Sequence, residues 1–113
     1  MRQTTLPEQT DKLIELGFER PKFEIEKQLC NIKGQPLQAA TIVGYYSIGE
    51  LLSFLPKEID SNGFKNTLYI FVNQDGWCVE YSDFLGELYS TYRSEFIDAI
   101  FDMCVKLKEK GVI

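Results

Sequence analysis

The chain is 113 residues long, 44% hydrophobic and 26% charged, with a formal net charge of −5 and no histidine. Those proportions fit one ordinary domain with a single core and exclude a disordered or fibrous protein. The missing histidine closes most routes to hydrolase, protease and zinc-enzyme chemistry, because that side chain is the usual general base, nucleophile partner and metal ligand near neutral pH.

Thr5-Leu6-Pro7-Glu8 opens the first element, combining a threonine cap, a proline in the first turn and a glutamate three residues after the cap. Leu6, Thr10, Leu13, Ile14 and Gly17 then share one side, so the spacing predicts a helix from Leu6 to Leu16 closed by Gly17. After Phe18 and Pro21 the period changes to two. Phe23, Ile25, Lys27 and Leu29 alternate with Glu24, Glu26 and Gln28, the pattern of a half-buried strand with Lys27 on its inner face. Asn31-Ile32-Lys33-Gly34 supplies turn residues, and the apolar, β-branched run Ala39 to Tyr46 predicts a returning strand.

Ser47-Ile48-Gly49-Glu50 is a capping box, and the stripe Ile48, Leu51, Leu52 and Leu55 makes a short helix that Pro56 stops. Asn62-Gly63 is a turn signal ahead of the most β-like stretch, Thr67 to Val72. Asn73-Gln74-Asp75-Gly76 turns that strand into Trp77 to Tyr81, completing a second hairpin. The last element is a helix over Ser94 to Lys110. Phe96, Ile97, Ile100, Phe101, Met103, Cys104 and Leu107 cover one arc of it, with charged residues opposite and Gly111 as its close. Acids lead and lysines follow, as the helix dipole favours, and Asp102 stands four residues before Lys106. The order αββαββα with short connections predicts a single α+β domain over residues 1–113. Its three helices would pack on a small antiparallel sheet of about four strands, in two hairpins.

Charge is concentrated toward the C-terminal half. From Asp75 to Asp102 the acids are Asp75, Glu80, Asp83, Glu87, Glu95, Asp98 and Asp102, against Arg93 alone. A nucleic-acid binder needs a basic stripe to displace phosphate counterions, so direct nucleic-acid binding is not expected. Cys30, Cys78 and Cys104 are odd in number and widely spaced, without the C-x-x-C spacing of metal or redox sites, and are read as buried, reduced thiols. The polar opening Met1-Arg2-Gln3-Thr4-Thr5 lacks the apolar region of a signal peptide, and no apolar run approaches the ~18 residues of a membrane span. A cytoplasmic location is therefore expected, with no membrane partner and no metal or other cofactor.

The run Tyr45-Tyr46-Ser47-Ile48-Gly49-Glu50-Leu51-Leu52-Ser53-Phe54-Leu55-Pro56-Lys57-Glu58-Ile59, with Phe96-Ile97-Asp98-Ala99-Ile100-Phe101-Asp102-Met103, resembles a group of small proteins from phages, prophages and mobile elements of gut Bacteroidetes. The shared motifs are structural, a capped helix ended by proline and an amphipathic helix. No activity is assigned to the group, so no catalytic or binding residue carries over. What the resemblance implies is an accessory protein that acts by binding a host or phage component.

Asp60-Ser61-Asn62-Gly63 and Asn73-Gln74-Asp75-Gly76 each contain oxygen ligands near a glycine, but both lack the ligand spacing and closing glutamate of a calcium loop. They are read as plain turns, which need these same residues. Glu80 beside Tyr81 is the best acid–base candidate by residue type, yet alternation with Val79 and Tyr81 sets Glu80 on a solvated face. Gly44 and Gly49 flank a helix start without any phosphate-loop pattern, and Glu50 there would repel an anion. With no activated nucleophile or base in view, the chain is read as a non-enzyme.

Ser82 to Arg93 is a connection of about twelve residues, long for a compact domain. Two readings of it coexist: a short helix from Asp83 to Tyr89 packed on the core, or a surface that binds a partner, since tyrosine is enriched at binding hot spots. The candidate partner-binding residues are Tyr81, Phe84, Glu87, Tyr89 and Tyr92. The expected function is a protein-interaction module whose acidic, aromatic C-terminal half binds a protein, such as a basic nucleic-acid-binding one; a homo-oligomer is compatible with it. The alternative is a small-ligand binding or sequestering protein with a pocket between the second helix and the sheet.

Overall fold

The computed structural model describes residues 1–27 and 41–113, and the side chains of residues 1–22 and 44–113. The chain forms an α+β fold of three helices and a four-stranded antiparallel sheet, with a separate two-stranded ribbon. In chain order the elements are α1 (Pro7–Glu15), β1 (Phe23–Lys27), β2 (Thr41–Tyr45), α2 (Ile48–Phe54), β3 (Glu58–Ser61), β4 (Phe64–Asn73), β5 (Gly76–Asp83), β6 (Gly86–Arg93) and α3 (Phe96–Glu109). β1 and β2 pair antiparallel, Phe23 opposite Tyr45 and Lys27 opposite Thr41. The predicted turn at Asn31 to Gly34, the strand positions Gln28, Leu29, Ala39 and Ala40, the side of β1 that carries Lys27, and Cys30 all lie outside what is described.

The order αββαββα is corrected to αββαββββα. The sheet is a meander, β3-β4-β5-β6, in which every strand pairs with its sequence neighbour. β3 precedes the Asn62-Gly63 turn, where Asn62 takes φ 53° and Gly63 φ 82°, the two positive φ angles of a tight hairpin turn. β6 replaces the expected helix or loop at Ser82 to Arg93. Asp83 Oδ1 accepts the Leu85 N–H at 2.7 Å, and Gly86 adopts φ 142°, a backbone that a helix cannot contain. The chain therefore reverses, and Gly86 to Arg93 zips back along β5, from Asp83 opposite Gly86 to Trp77 opposite Arg93.

The helix ends show how local chemistry selects each boundary. Ser47 Oγ accepts the Glu50 N–H at 3.1 Å and Glu50 Oε1 accepts the Ser47 N–H at 3.3 Å, the reciprocal box that the sequence predicts. At α1 the predicted threonine cap is displaced by one residue. Leu6 is the N-cap, Gln9 Oε1 accepts its N–H at 2.9 Å, and Thr5 instead accepts the Tyr46 N–H at 3.0 Å. That use of Thr5 fastens the N-terminal segment along the entry to α2, with the Thr5 N–H donating back to the Tyr46 carbonyl.

The core lies between α3 and one face of the sheet, closed by α1 and α2. Leu13, Tyr46, Leu51, Val79, Tyr81, Ile97, Ala99, Ile100, Met103, Cys104 and Leu107 have no exposed surface. Thr91 Oγ1 donates to the Ala99 carbonyl at 2.7 Å and Trp77 stacks on Phe96 with ring centroids 4.6 Å apart, so the first turn of α3 is registered on β5 and β6. At the start of α3, Asp98 takes hydrogen bonds from Gln9 and Arg2, tying α1 and the N-terminus to that helix. Among the described residues no helix is long and apolar enough to cross a membrane.

Candidate interaction surface

Antiparallel pairing puts directly opposed residues on the same face of a sheet, and alternation sends their neighbours to the other. Leu68, Tyr81 and Tyr89 form one row on the face under α3, and Ile70, Val79 and Thr91 form the next. The opposite face carries Phe71, Cys78 and Tyr92 in one row, Tyr69, Glu80 and Ser90 in another, and Ser82 with Thr67 and Glu87 in a third. No described helix packs on this outer face. Tyr69 is 52% exposed, Phe71 44% and Tyr92 45%, and Phe84 at the β5–β6 turn is 86% exposed.

Of these, Tyr69, Phe71 and Phe84 border a shallow concavity of about 560 Å³, lined also by Lys65, Thr67, Glu80, Ser82 and Asp83. Around it stand Glu58 and Asp60 from β3, Glu80 and Asp83 from β5, and Glu87 from β6. Lys65 is the one cation in that set, and it lies 3.9 Å from Glu58. Five carboxylates against one ammonium surround this concavity, an acidic setting in a chain whose net charge is −5. The Tyr92 hydroxyl donates to Asn73 Oδ1 at 2.7 Å, and the same oxygen accepts the Asp75 and Gly76 N–H groups, so the tip of the hairpin and the tyrosine are held together. Gly76 is required there, because a Cβ would sit 2.6 Å from the Arg93 carbonyl oxygen. The Asn73 to Gly76 segment is thus a plain turn, as its residues predict.

The five sequence candidates separate. Phe84 and Glu87 are exposed at the turn and on the outer face, and Tyr92 is on the outer face. Tyr89 points the other way and packs on the core. Tyr81 is corrected from a surface residue to a fully buried one. Its hydroxyl donates to the Pro56 carbonyl at 2.6 Å, and burial raises its pKa well above the ordinary phenol. Tyr69 and Phe71, absent from the candidates, are the ring-bearing centre of the face. Their signal is present in the sequence: Leu68 to Val72 is apolar at every position, so both faces of that strand are apolar, while the helices suffice to cover one.

The space between α2 and the sheet, where a ligand pocket is the alternative expectation, is filled. Leu51, Leu55 and Tyr81 occupy it, and the Cys104 thiol reaches the Leu51 carbonyl at 3.6 Å. Cys78 and Cys104 are buried free thiols, and burial pushes the Cys104 thiol up to about 12, far from a nucleophile's range. Among the described residues no three acidic or cysteine side chains are grouped as metal ligands. No protein-family model, curated protein or solved structure matches this chain.

Proposed function

We propose that the chain is a non-enzymatic protein-interaction module that binds a basic protein partner on the outer face of its sheet. The observation that carries this reading is a sheet face that no described helix covers, on which Tyr69, Phe71 and Tyr92 are exposed and whose concavity beside Tyr69 and Phe71 is surrounded by five carboxylates. Rigid aromatic rings supply contact area at small entropic cost, and the carboxylates steer a cationic surface and reject an anionic one. The same charge disfavours direct contact with nucleic acid, so a nucleic-acid-binding protein is a fitting partner, with this face competing for its basic surface. The resemblance to small phage and mobile-element proteins fits an accessory role of that kind, acting on a host or phage protein in the cytoplasm.

The test is recovery from lysate by the tagged full chain, compared with Tyr69→Ser/Phe71→Ser and with Glu80→Lys. One protein is expected to be retained by the wild type, lost by both variants at unchanged melting temperature, and released progressively as salt rises. Equal recovery by all three chains, or retention that strengthens with salt, would refute the proposal.

A further inference from the structure

β4 is ten residues long and β3 only four, so β3 covers the first part of β4 and leaves the rest of that edge open. The Leu68 N–H donates to the Lys57 carbonyl at 3.0 Å, which shows that even-numbered residues of β4 aim their backbone groups toward the β3 side. By alternation Ile70 and Val72 do the same, and among the described residues no strand pairs with them there. Their side chains are also uncovered, Ile70 being 37% exposed and Val72 58%.

The other edges of the four-stranded sheet are guarded. β3 is short and carries Glu58 and Asp60, while on β6 the Lys106 ammonium donates to the outward Ser90 carbonyl at 2.9 Å. The projecting part of β4 has no such device. From Asn66 to Gln74 there is no charge, proline or glycine, and Tyr69 and Phe71 are exposed on one face as Ile70 and Val72 are on the other. A strand of this composition with a free edge is a template for another strand.

We infer that this edge pairs with the same edge of a second copy of the chain, antiparallel about a two-fold axis normal to the sheet. With Phe71 opposite Phe71 of the second copy, Ile70 and Val72 stand opposite each other and exchange both N–H···O=C bonds, twice by symmetry. The two Phe71 rings form a close cross-strand aromatic pair, and the four aliphatic side chains cluster on the other face. The strand is neutral, so a second copy meets no like charge along the seam. At each end the exposed turn residue Asp75 arrives beside the second copy's exposed Lys57, which precedes β3. The product is one continuous eight-stranded sheet whose two acidic outer faces lie on the same side, doubling the surface offered to a basic partner.

The dimer rests on the open edge and not on the basic-partner reading, and salt separates the two. Screening weakens binding of a cationic partner but leaves intact, or strengthens, pairing of two net-acidic chains through a neutral strand. Sedimentation of the full chain over a concentration series is expected to approach twice the 13.1 kDa of one copy. Hydrogen exchange is expected to show concentration-dependent protection of the Ile70 and Val72 amides. Val72→Lys is expected to sediment as a monomer with unchanged melting. A monomeric mass at the highest concentration, a dimer that survives Val72→Lys, or protection confined to the Ser90 and Tyr92 amides would each overturn the inference. A monomer that still loses its partner on Tyr69→Ser/Phe71→Ser would leave the binding face standing and remove the dimer alone.

Discussion

Asp98 is the residue through which the N-terminus, α1 and the end of β6 are joined to α3, and replacing it should be among the most damaging polar changes. It is 9% exposed. Its Oδ1 takes the Gln9 amide at 2.8 Å and the Arg2 guanidinium, and its Oδ2 lies 3.8 Å from Arg93 Nη2. Asp98→Ala leaves the buried Gln9 amide without its acceptor, worth about 1–3 kcal/mol. Arg2 and Arg93 are part-exposed and regain water, so their lost attraction adds only about 1 kcal/mol, and loss of an acid from the first helical turn adds about 0.5. The expected total is about 2.5–4.5 kcal/mol at neutral pH. Burial by itself would raise this carboxyl, but the Gln9 and Arg2 hydrogen bonds and the charges of Arg2 and Arg93 hold it below the usual carboxylate range. A depressed folded pKa contributes stability above the unfolded value of about 3.9, and that contribution disappears as pH falls through the folded value. Urea denaturation should show that full loss for Asp98→Ala at pH 7, whereas Asp98→Asn, which keeps an acceptor for Gln9 but not the charge, should differ from the wild type by less at pH 7 and converge with it in acid. A difference under about 0.5 kcal/mol, or one of equal size at both pH values, would refute the electrostatic account.

Tyr89→Ala should lose about 2–3 kcal/mol of stability and Tyr92→Ala less than about 1, because one ring packs on the core and the other stands in solvent; equal losses in thermal melts would contradict the strand register. Ser47→Ala should cost about 1 kcal/mol by removing the cap of α2, and an unchanged denaturation midpoint would show that this bond contributes nothing. Alkylation of Cys104 near pH 8 should proceed only as fast as the chain opens, since the thiol is both buried and far above its ordinary pKa; rapid labelling of the native protein would show that the space beneath α2 is accessible.

The parts of this fold that are legible in the sequence are those where one physical rule dominates. The Ser47 and Glu50 box, the apolar arc of α3 and the Thr67 to Tyr81 hairpin each carry a local signal that tertiary packing reinforces. β6 is obscured by a competing period. Leu85, Leu88, Tyr89 and Tyr92 fall at the i, i+3, i+4 and i+7 positions of a helix, and only the ladder with β5 and the φ of Gly86 override that pattern. β3 has four residues with Ile59 as its single buried side chain, too few for a period to register. For the candidate surface, alternation that places Glu80 outward already assigns Tyr81 to the core. Tyr69 and Phe71 read as core residues because strand composition does not reveal that one face of a sheet is left uncovered.

The claim that the outer face is the binding surface is tested most directly by hydroxyl-radical footprinting of the purified complex against the free chain. Oxidation of Tyr69, Phe71 and Phe84 should fall on binding, while Phe101 and Val105, which line a separate groove between β6 and α3, should be oxidised equally in both states. Protection of Phe101 and Val105, with Tyr69 and Phe71 oxidised as in the free chain, would contradict the account.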